Sequence, residues 1–262
     1  MDFKLKDKIA VVFASSKGLG KGAALALASE GCKVAICSRN TDLMEQAARD
    51  ITKQTGSEVF YQAVDVEDKE QIDHFINAVA KKFASIDILV TNAGGPPVAN
   101  FEQTIDAEWL KWYNITFMSV VRSVKAALPF LKQSDSGRII NITSSSVKSS
   151  IDNLIYSNSL RLAVVGLAKS LSRELGQYGI TVHNVAPGYH MTDGLERIIK
   201  AKVEAGMSRE DVLKAWTDNV PVGRIGEPQD LAALITFLAS GQTGYMSGTT
   251  IQVDGGTFVG TM

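Results

Sequence analysis

The chain has 262 residues, 45% of them hydrophobic, and a formal net charge of −1. That length and apolar content suit one large domain, residues 1–262, better than two small ones. The near-zero charge argues against nucleic acid or an anionic membrane surface as the main partner. No apolar run approaches the ~18 residues of a spanning helix, and Met1–Lys8 is too polar for a secretory signal, so a cytoplasmic protein is expected.

The first element is the apolar run Ile9 to Phe13, which reads as a buried strand. A turn of small residues follows, and Ala23 to Ala28 is strongly helix-forming. Strand, tight turn and helix aim free backbone N–H groups and the positive end of a helix dipole at a phosphate. Ser15, Lys17, Gly18, Leu19 and Gly20 make that turn, and the two glycines let backbone approach a ligand without an intervening Cβ. The plainer alternative is a glycine turn with no ligand.

A second strand, Lys33–Cys37, contains one of the chain's two cysteines, and Cys32 flanks it. Five extended residues span ~16 Å, well beyond the ~7 Å between Cα atoms that a disulfide tolerates, so both thiols are expected to be reduced. Ser38-Arg39-Asn40 follows. In dinucleotide-binding folds an acidic residue here holds a ribose 2′-hydroxyl; none is present. Arg39, helped by Lys17, suits a 2′-phosphate instead, which favours NADP(H) over a merely solvated arginine.

Further on, Asp42–Gln54 reads as a helix, Glu58–Val64 as a strand, Lys69–Phe83 as a helix and Asp87–Thr91 as a strand. After the third strand stands Asp65-Val66, where the aspartate either meets an adenine amino group or caps the next helix. After the fourth comes Thr91-Asn92-Ala93-Gly94-Gly95, where small residues let backbone pass close to a ribose or a flat ring. Trp109 to Leu131 reads as one long helix, Arg138–Thr143 as a strand, Leu154 to Gln177 as a second long helix and Ile180–Val185 as a strand. A polar stretch, Thr192 to Val220, carries Ile198, Ile199, Val203, Met207, Val212, Leu213 and Trp216 among charges, the pattern of two amphipathic helices forming a lid. A helix at Gln229–Leu238 and a strand at Thr250–Val253 complete the chain. Repeated strand–helix–strand units with non-alternating apolar strands predict an α/β fold: one doubly wound, Rossmann-like parallel sheet of about seven strands with helices on both faces. Ligands in such sheets bind at the carboxyl ends of the strands.

With these motifs the chain resembles the short-chain dehydrogenase/reductase family over essentially its whole length. Asn92-Ala93-Gly94 resembles that family's Asn-Ala-Gly segment, and Asn114 its catalytic asparagine. Pro187-Gly188…Thr192 resembles the segment that grips the nicotinamide amide, and Asp254-Gly255-Gly256 the C-terminal turn. Ala14 stands where the family has its first glycine. The resemblance implies a Ser, Tyr-x-x-x-Lys and Asn constellation acting on a carbonyl or alcohol, in the manner of a 3-oxoacyl reductase, within a homotetramer or dimer paired through the long helices.

Ser144 matches the family's serine, but the Tyr-x-x-x-Lys is missing. Without insertions the family spacing places Ser157 at the tyrosine position and Arg161 at the lysine position, four apart and on one helix face. Taking Tyr156 as the tyrosine puts Leu160 in the lysine place. Serine is a far weaker acid than a phenol, whose pKa is ~10, and arginine does not give up its proton. Arg161 is expected to hold the nicotinamide ribose and to supply positive charge. Tyr156 is ~100° around the helix from Ser157, which suits core packing unless the helix start unwinds. Tyr189 and His190 lie within the Pro187-Gly188…Thr192 segment and are the other candidate donors; His190 has an intrinsic pKa of ~6.5, with an exposed loop histidine as the bland alternative, and His183 reads as a satisfied core residue. No metal-ligand pattern stands out. The competing readings are a nucleotide-binding protein that has lost carbonyl reduction, and dehydration or epimerisation on the same scaffold.

Overall fold

The computed structural model describes residues 2–261, the side chain of residue 201 excepted. Seven strands, β1 (Ile9–Val12), β2 (Lys33–Ser38), β3 (Val59–Ala63), β4 (Ile88–Thr91), β5 (Arg138–Ile142), β6 (Thr181–Pro187) and β7 (Thr249–Val253), pair in the order β3-β2-β1-β4-β5-β6-β7. Every pairing is parallel. The direction of winding reverses between β1 and β4, which opens a crevice at their carboxyl ends.

Alternation along the strands divides the core in two. Ala10, Val12, Val34, Ile36, Ile88 and Val90 pack on one face with helices α1 (Gly18–Ser29), α2 (Thr41–Thr55) and α9 (Pro228–Ala239). Ile9, Val11, Phe13, Ala35 and Leu89 pack on the other with α3 (Lys69–Phe83), α5 (Ser119–Leu131) and α6 (Ile155–Leu175). Cys32 and Cys37 fall on opposite faces and are free thiols. Burial pushes the Cys32 thiol up to about 12.

Two sequence expectations change. The helix expected from Trp109 to Leu131 is interrupted: α4 (Asp106–Tyr113) and α5 are joined by a π-helical turn, Asn114–Met118. Apolar periodicity runs through this turn without a break, so the pattern could not reveal it. The cap of α3 is Asp68, whose Oδ1 accepts from the Glu70 and Gln71 amides, and not Asp65. Asp65 instead accepts from the Glu67 amide at 3.0 Å, in a local turn.

The stretch expected to form two amphipathic helices does so, as α7 (Asp193–Glu204) and α8 (Arg209–Thr217). Ile199 of α7 and Val212 of α8 are buried. A two-pronged ion pair from Arg209 to Glu196, at 2.6 and 3.0 Å, ties α8 to α7.

Candidate active site

The turn after β1 is tight because three pieces of backbone meet there. Gly18 has φ +56°, and a Cβ built on Gly20 would stand 2.4 Å from the Ala14 carbonyl oxygen. Ala14 itself is held in the left-handed region at φ 47°, where a Cβ crowds the following carbonyl. Asn92 Nδ2 donates to that same Ala14 oxygen at 3.2 Å, joining the turn to the loop after β4. The first turn of α1 has no acidic residue to neutralise its amides. Ser15, however, faces inward. It is fully buried, its Oγ donates to Val12 O at 2.6 Å and accepts from the Cys37 amide, and its own amide donates to Cys37 O. Ser15 is a staple between β1 and β2, which corrects its expected place among the phosphate-binding groups.

A cavity of about 540 Å³ runs along the strand ends, bordered by Lys17, Ser38, Arg39, Asn40, Asp65, Val66 and Asn92–Gly94. Ser38 Oγ is buried with no hydrogen-bond partner, and exposed Arg39 makes no ion pair among the described residues. A hydroxyl left orphaned beside a free guanidinium fits a phosphorylated ribose. Asn40 contributes to the wall only: its Oδ1 accepts from the Leu43 amide as the cap of α2. Lys17 pairs with Asp193 of the lid at 2.9 Å, an exposed contact.

A second cavity, about 340 Å³, opens past Gly95 and is bordered by Leu19, Ser144, Ser157, Arg161, Pro187–His190, Thr192 and, from α7, Leu195 and Ile198. Ser144 Oγ accepts from the Ser146 amide at 3.1 Å, capping a short 3-10 turn, and its own proton is free to point at a ligand. Ser157 is buried and shares a 3.0 Å hydrogen bond with Ser146 Oγ. Arg161 is 9% exposed, and its Nη1 donates to the carbonyls of Ile142 and Thr143 at 3.2 and 3.0 Å. No carboxylate faces it among the described residues. Burial lowers its pKa to about 10, so at neutral pH it remains a cation without a counter-ion.

Two expected roles, those of Asn114 and His190, are corrected here, and for Tyr156 core packing is the outcome. Asn114, in the π turn, has both ends of its amide engaged: Nδ2 donates to Leu110 O at 3.1 Å, and Oδ1 accepts from Arg122 Nη2 at 3.0 Å. Its side chain is not free to position a substrate. Tyr156 is 2% exposed, with its ring edge-on to Trp109 at 4.7 Å, and does not border the cavity. The helix start stays wound, so the phenol remains in the core. His190 is buried and not on an exposed loop: Nδ1 donates to Gly188 O at 3.2 Å, while Nε2, without a partner, lies against Gly226. Burial holds it below its ordinary pKa, in the neutral form. Behind Pro187-Gly188 the C-terminal turn packs closely, since a Cβ on Gly188 would meet Asp254 Cβ at 2.7 Å.

An adjoining cavity of about 350 Å³ continues from Ser144 and Tyr189 toward Ile151, Phe258 and Val259, walls that are mainly apolar. Tyr189, the other donor candidate of the Pro187-Gly188…Thr192 segment, borders both this cavity and the one holding Arg161. Its signal was its place beside Pro187-Gly188.

The sequence model of the family described as enoyl-(acyl carrier protein) reductase matches residues 13–257. The 3-oxoacyl-[acyl-carrier-protein] reductase FabG of Haemophilus influenzae is 35% identical over 257 residues, covering 97% of this chain and 100% of the relative. L-sorbose reductase from Gluconobacter frateurii, solved with NADPH and L-sorbose, superposes with a TM-score of 0.95 at 28% identity, covering 99% and 100% of the two chains. An NADPH-bound short-chain oxidoreductase from Pseudomonas aeruginosa, described as containing an atypical catalytic center, superposes with a TM-score of 0.89 at 27% identity, covering 97% and 99%.

Proposed function

The chain belongs to the short-chain dehydrogenase/reductase family, and from that premise we propose that it is an NADP(H)-dependent oxidoreductase acting on a carbonyl or alcohol, in the manner of a 3-oxoacyl reductase. The observation that carries this reading is the position of Arg161. It borders a small cleft with Asn92 and Ala93 of the nucleotide loop and also the cavity of Ser144. A fixed cation thus stands where the nucleotide crevice meets a chamber sized for a small organic molecule.

When bound, the cofactor supplies the hydride. Its pyrophosphate would rest on the amides opening α1, and its 2′-phosphate beside Ser38 and Arg39. Ser144 donates a hydrogen bond to the substrate oxygen, and Arg161 stabilises the negative charge that develops there. Such preorganised charge in a site shielded from water is worth roughly 3–4 kcal/mol. Leu195 and Ile198 supply the water-excluding wall. The test is NADPH oxidation against a panel of ketones, 3-oxoacyl thioesters and sugars. Ser157 and Arg161 in place of Tyr and Lys favour a second reading, a nucleotide-binding protein without reductase activity. Tight NADPH binding with no turnover on any of the panel would select it.

We further propose a homo-oligomer, a dimer or tetramer, working in the cytoplasm. Phe101, Ile105, Leu110 and Leu162 are exposed on and around α4 and α6, an apolar set that a subunit contact would cover. Among the described residues no helix is long and apolar enough to cross a membrane. Sedimentation of wild type beside Leu110→Lys tests the contact: a monomer in both would remove it.

A further inference from the structure

The reduction proposed above needs a proton at the substrate oxygen, and the groups inherited for that task do not deliver one. Tyr156 is sealed against Trp109. Ser157 is engaged with Ser146, and a serine hydroxyl is a poor acid. Arg161 keeps its proton. His190 donates from Nδ1 to a backbone carbonyl, which leaves Nε2 unprotonated in the neutral ring, and that atom lies buried against Gly226.

One acid remains on the cavity wall. Among the described residues bordering the Arg161 cavity, Tyr189 carries the only phenol, and it borders the adjoining apolar cavity as well. It stands on the loop leaving β6, directly after Pro187-Gly188, at the carboxyl end of the sheet where the chemistry must occur. Its ring is stacked on Trp216 of the lid helix α8, with centroids 5.9 Å apart and planes inclined by 16°. The side chain is 38% exposed, so it has contact with both the cavity and solvent.

We propose that Tyr189 is the proton donor of this enzyme, a phenol supplied by the substrate loop in place of the one absent from α6. This assignment rests on the carbonyl-reduction reading. The carbonyl carbon accepts the hydride of NADPH, the C=O π bond becomes a C–O single bond, and the Tyr189 O–H gives its proton to that oxygen. Arg161 steadies the charge during transfer. The phenolate then recovers a proton from water at its solvent-exposed side. The products are the alcohol and NADP+, and in oxidation the same groups run in reverse. The stacking on Trp216 makes the acid part of the lid, so closure over a substrate and delivery of the proton become one event.

Tyr189→Phe keeps the ring and its stacking partner and removes only the hydroxyl. With para-methoxyacetophenone and para-nitroacetophenone as paired probes, wild type and variant are compared for kcat and for NADPH binding by fluorescence. General acid catalysis contributes about 100-fold or more, so the variant should lose that much kcat on the methoxy ketone with NADPH affinity unchanged. The loss should be smaller on the nitro ketone, whose alkoxide is less basic and needs the proton less. Activity within about twofold of wild type would overturn the assignment. So would an equal loss on both ketones, or weakened NADPH binding, since either reports a packing role. A wild type that binds NADPH but reduces neither ketone, nor any substrate of the wider panel, would instead remove the reductase reading, and this assignment with it.

Discussion

The two cavities along the strand ends treat their polar groups in opposite ways. In the cavity beside Arg39, Ser38 Oγ has no hydrogen-bond partner and Arg39 no ion pair among the described residues, and the first turn of α1 carries no acidic residue. In the cavity of Ser144, two of the family positions carry side chains engaged within the protein, Ser157 with Ser146 and Arg161 with two carbonyls, as does Asn114 beyond its wall with Arg122 and Leu110. A buried hydroxyl without a partner is costly unless a ligand meets it, so the orphaned Ser38 Oγ, with exposed Arg39 next to it in the chain, favours a ligand in the first cavity. The second holds a buried cation, and on the assignment proposed above its proton comes from the loop after β6.

Removing the charge from the second cavity gives the largest expected effect. Arg161→Gln should lower kcat/KM by roughly 100- to 1000-fold, the scale of one preorganised oxyanion donor, with NADPH affinity changed far less. Arg161→Met should show a similar loss while its urea midpoint holds or rises, because an unpaired buried cation costs free energy to desolvate. A stability loss in Arg161→Met comparable to the activity loss would mean that the guanidinium is a structural strut.

Closing the first cavity comes next. In Gly20→Ala the new Cβ meets the Ala14 carbonyl at 2.4 Å, which should cost about 1–3 kcal/mol and weaken NADPH binding by displacing the turn. Arg39→Asp should leave folding intact and reduce NADPH affinity by about 10- to 100-fold, the range of one charged hydrogen bond, with NADH affinity much less affected.

How far these cavities could be read in advance depended on the range of the interactions. α3 was legible to its bounds, Lys69–Phe83, because its period and its Asp68-Lys69-Glu70 start are local. The crevice at the strand ends and the two helices of residues 193–217 followed equally from nearby residues. The core place of Tyr156 followed from its turn around the helix, whereas what was not legible depended on contacts distant in sequence: the inward Ser15 on Cys37, and the buried His190 on Gly226. The π turn at Asn114 leaves the apolar pattern unchanged and so carries no sequence signal of its own.

Smaller effects sharpen the same contrast. Burial holds the imidazoles of His183 and His190 below their ordinary 6.5. The unfolded chain therefore binds protons that the folded chain refuses, and stability should fall as the pH drops below about 6.5 and be fully present above it. Urea midpoints at pH 7.5 and 5.5 should differ less in His183→Gln/His190→Gln than in wild type; equal differences would place the titration elsewhere. The smallest effect is Ala14→Gly. Relieving a left-handed alanine should gain about 0.5–1 kcal/mol, a rise in Tm of about 1–4 °C, and a fall would show that the turn is not strained.

The most direct test of the account is a calorimetric titration of wild-type protein with NADPH and, separately, with NADH. The account predicts micromolar binding of NADPH and at least tenfold weaker binding of NADH. If neither coenzyme binds at millimolar concentration, the crevice beside Arg39 is not a nucleotide site, and the account is contradicted at its base.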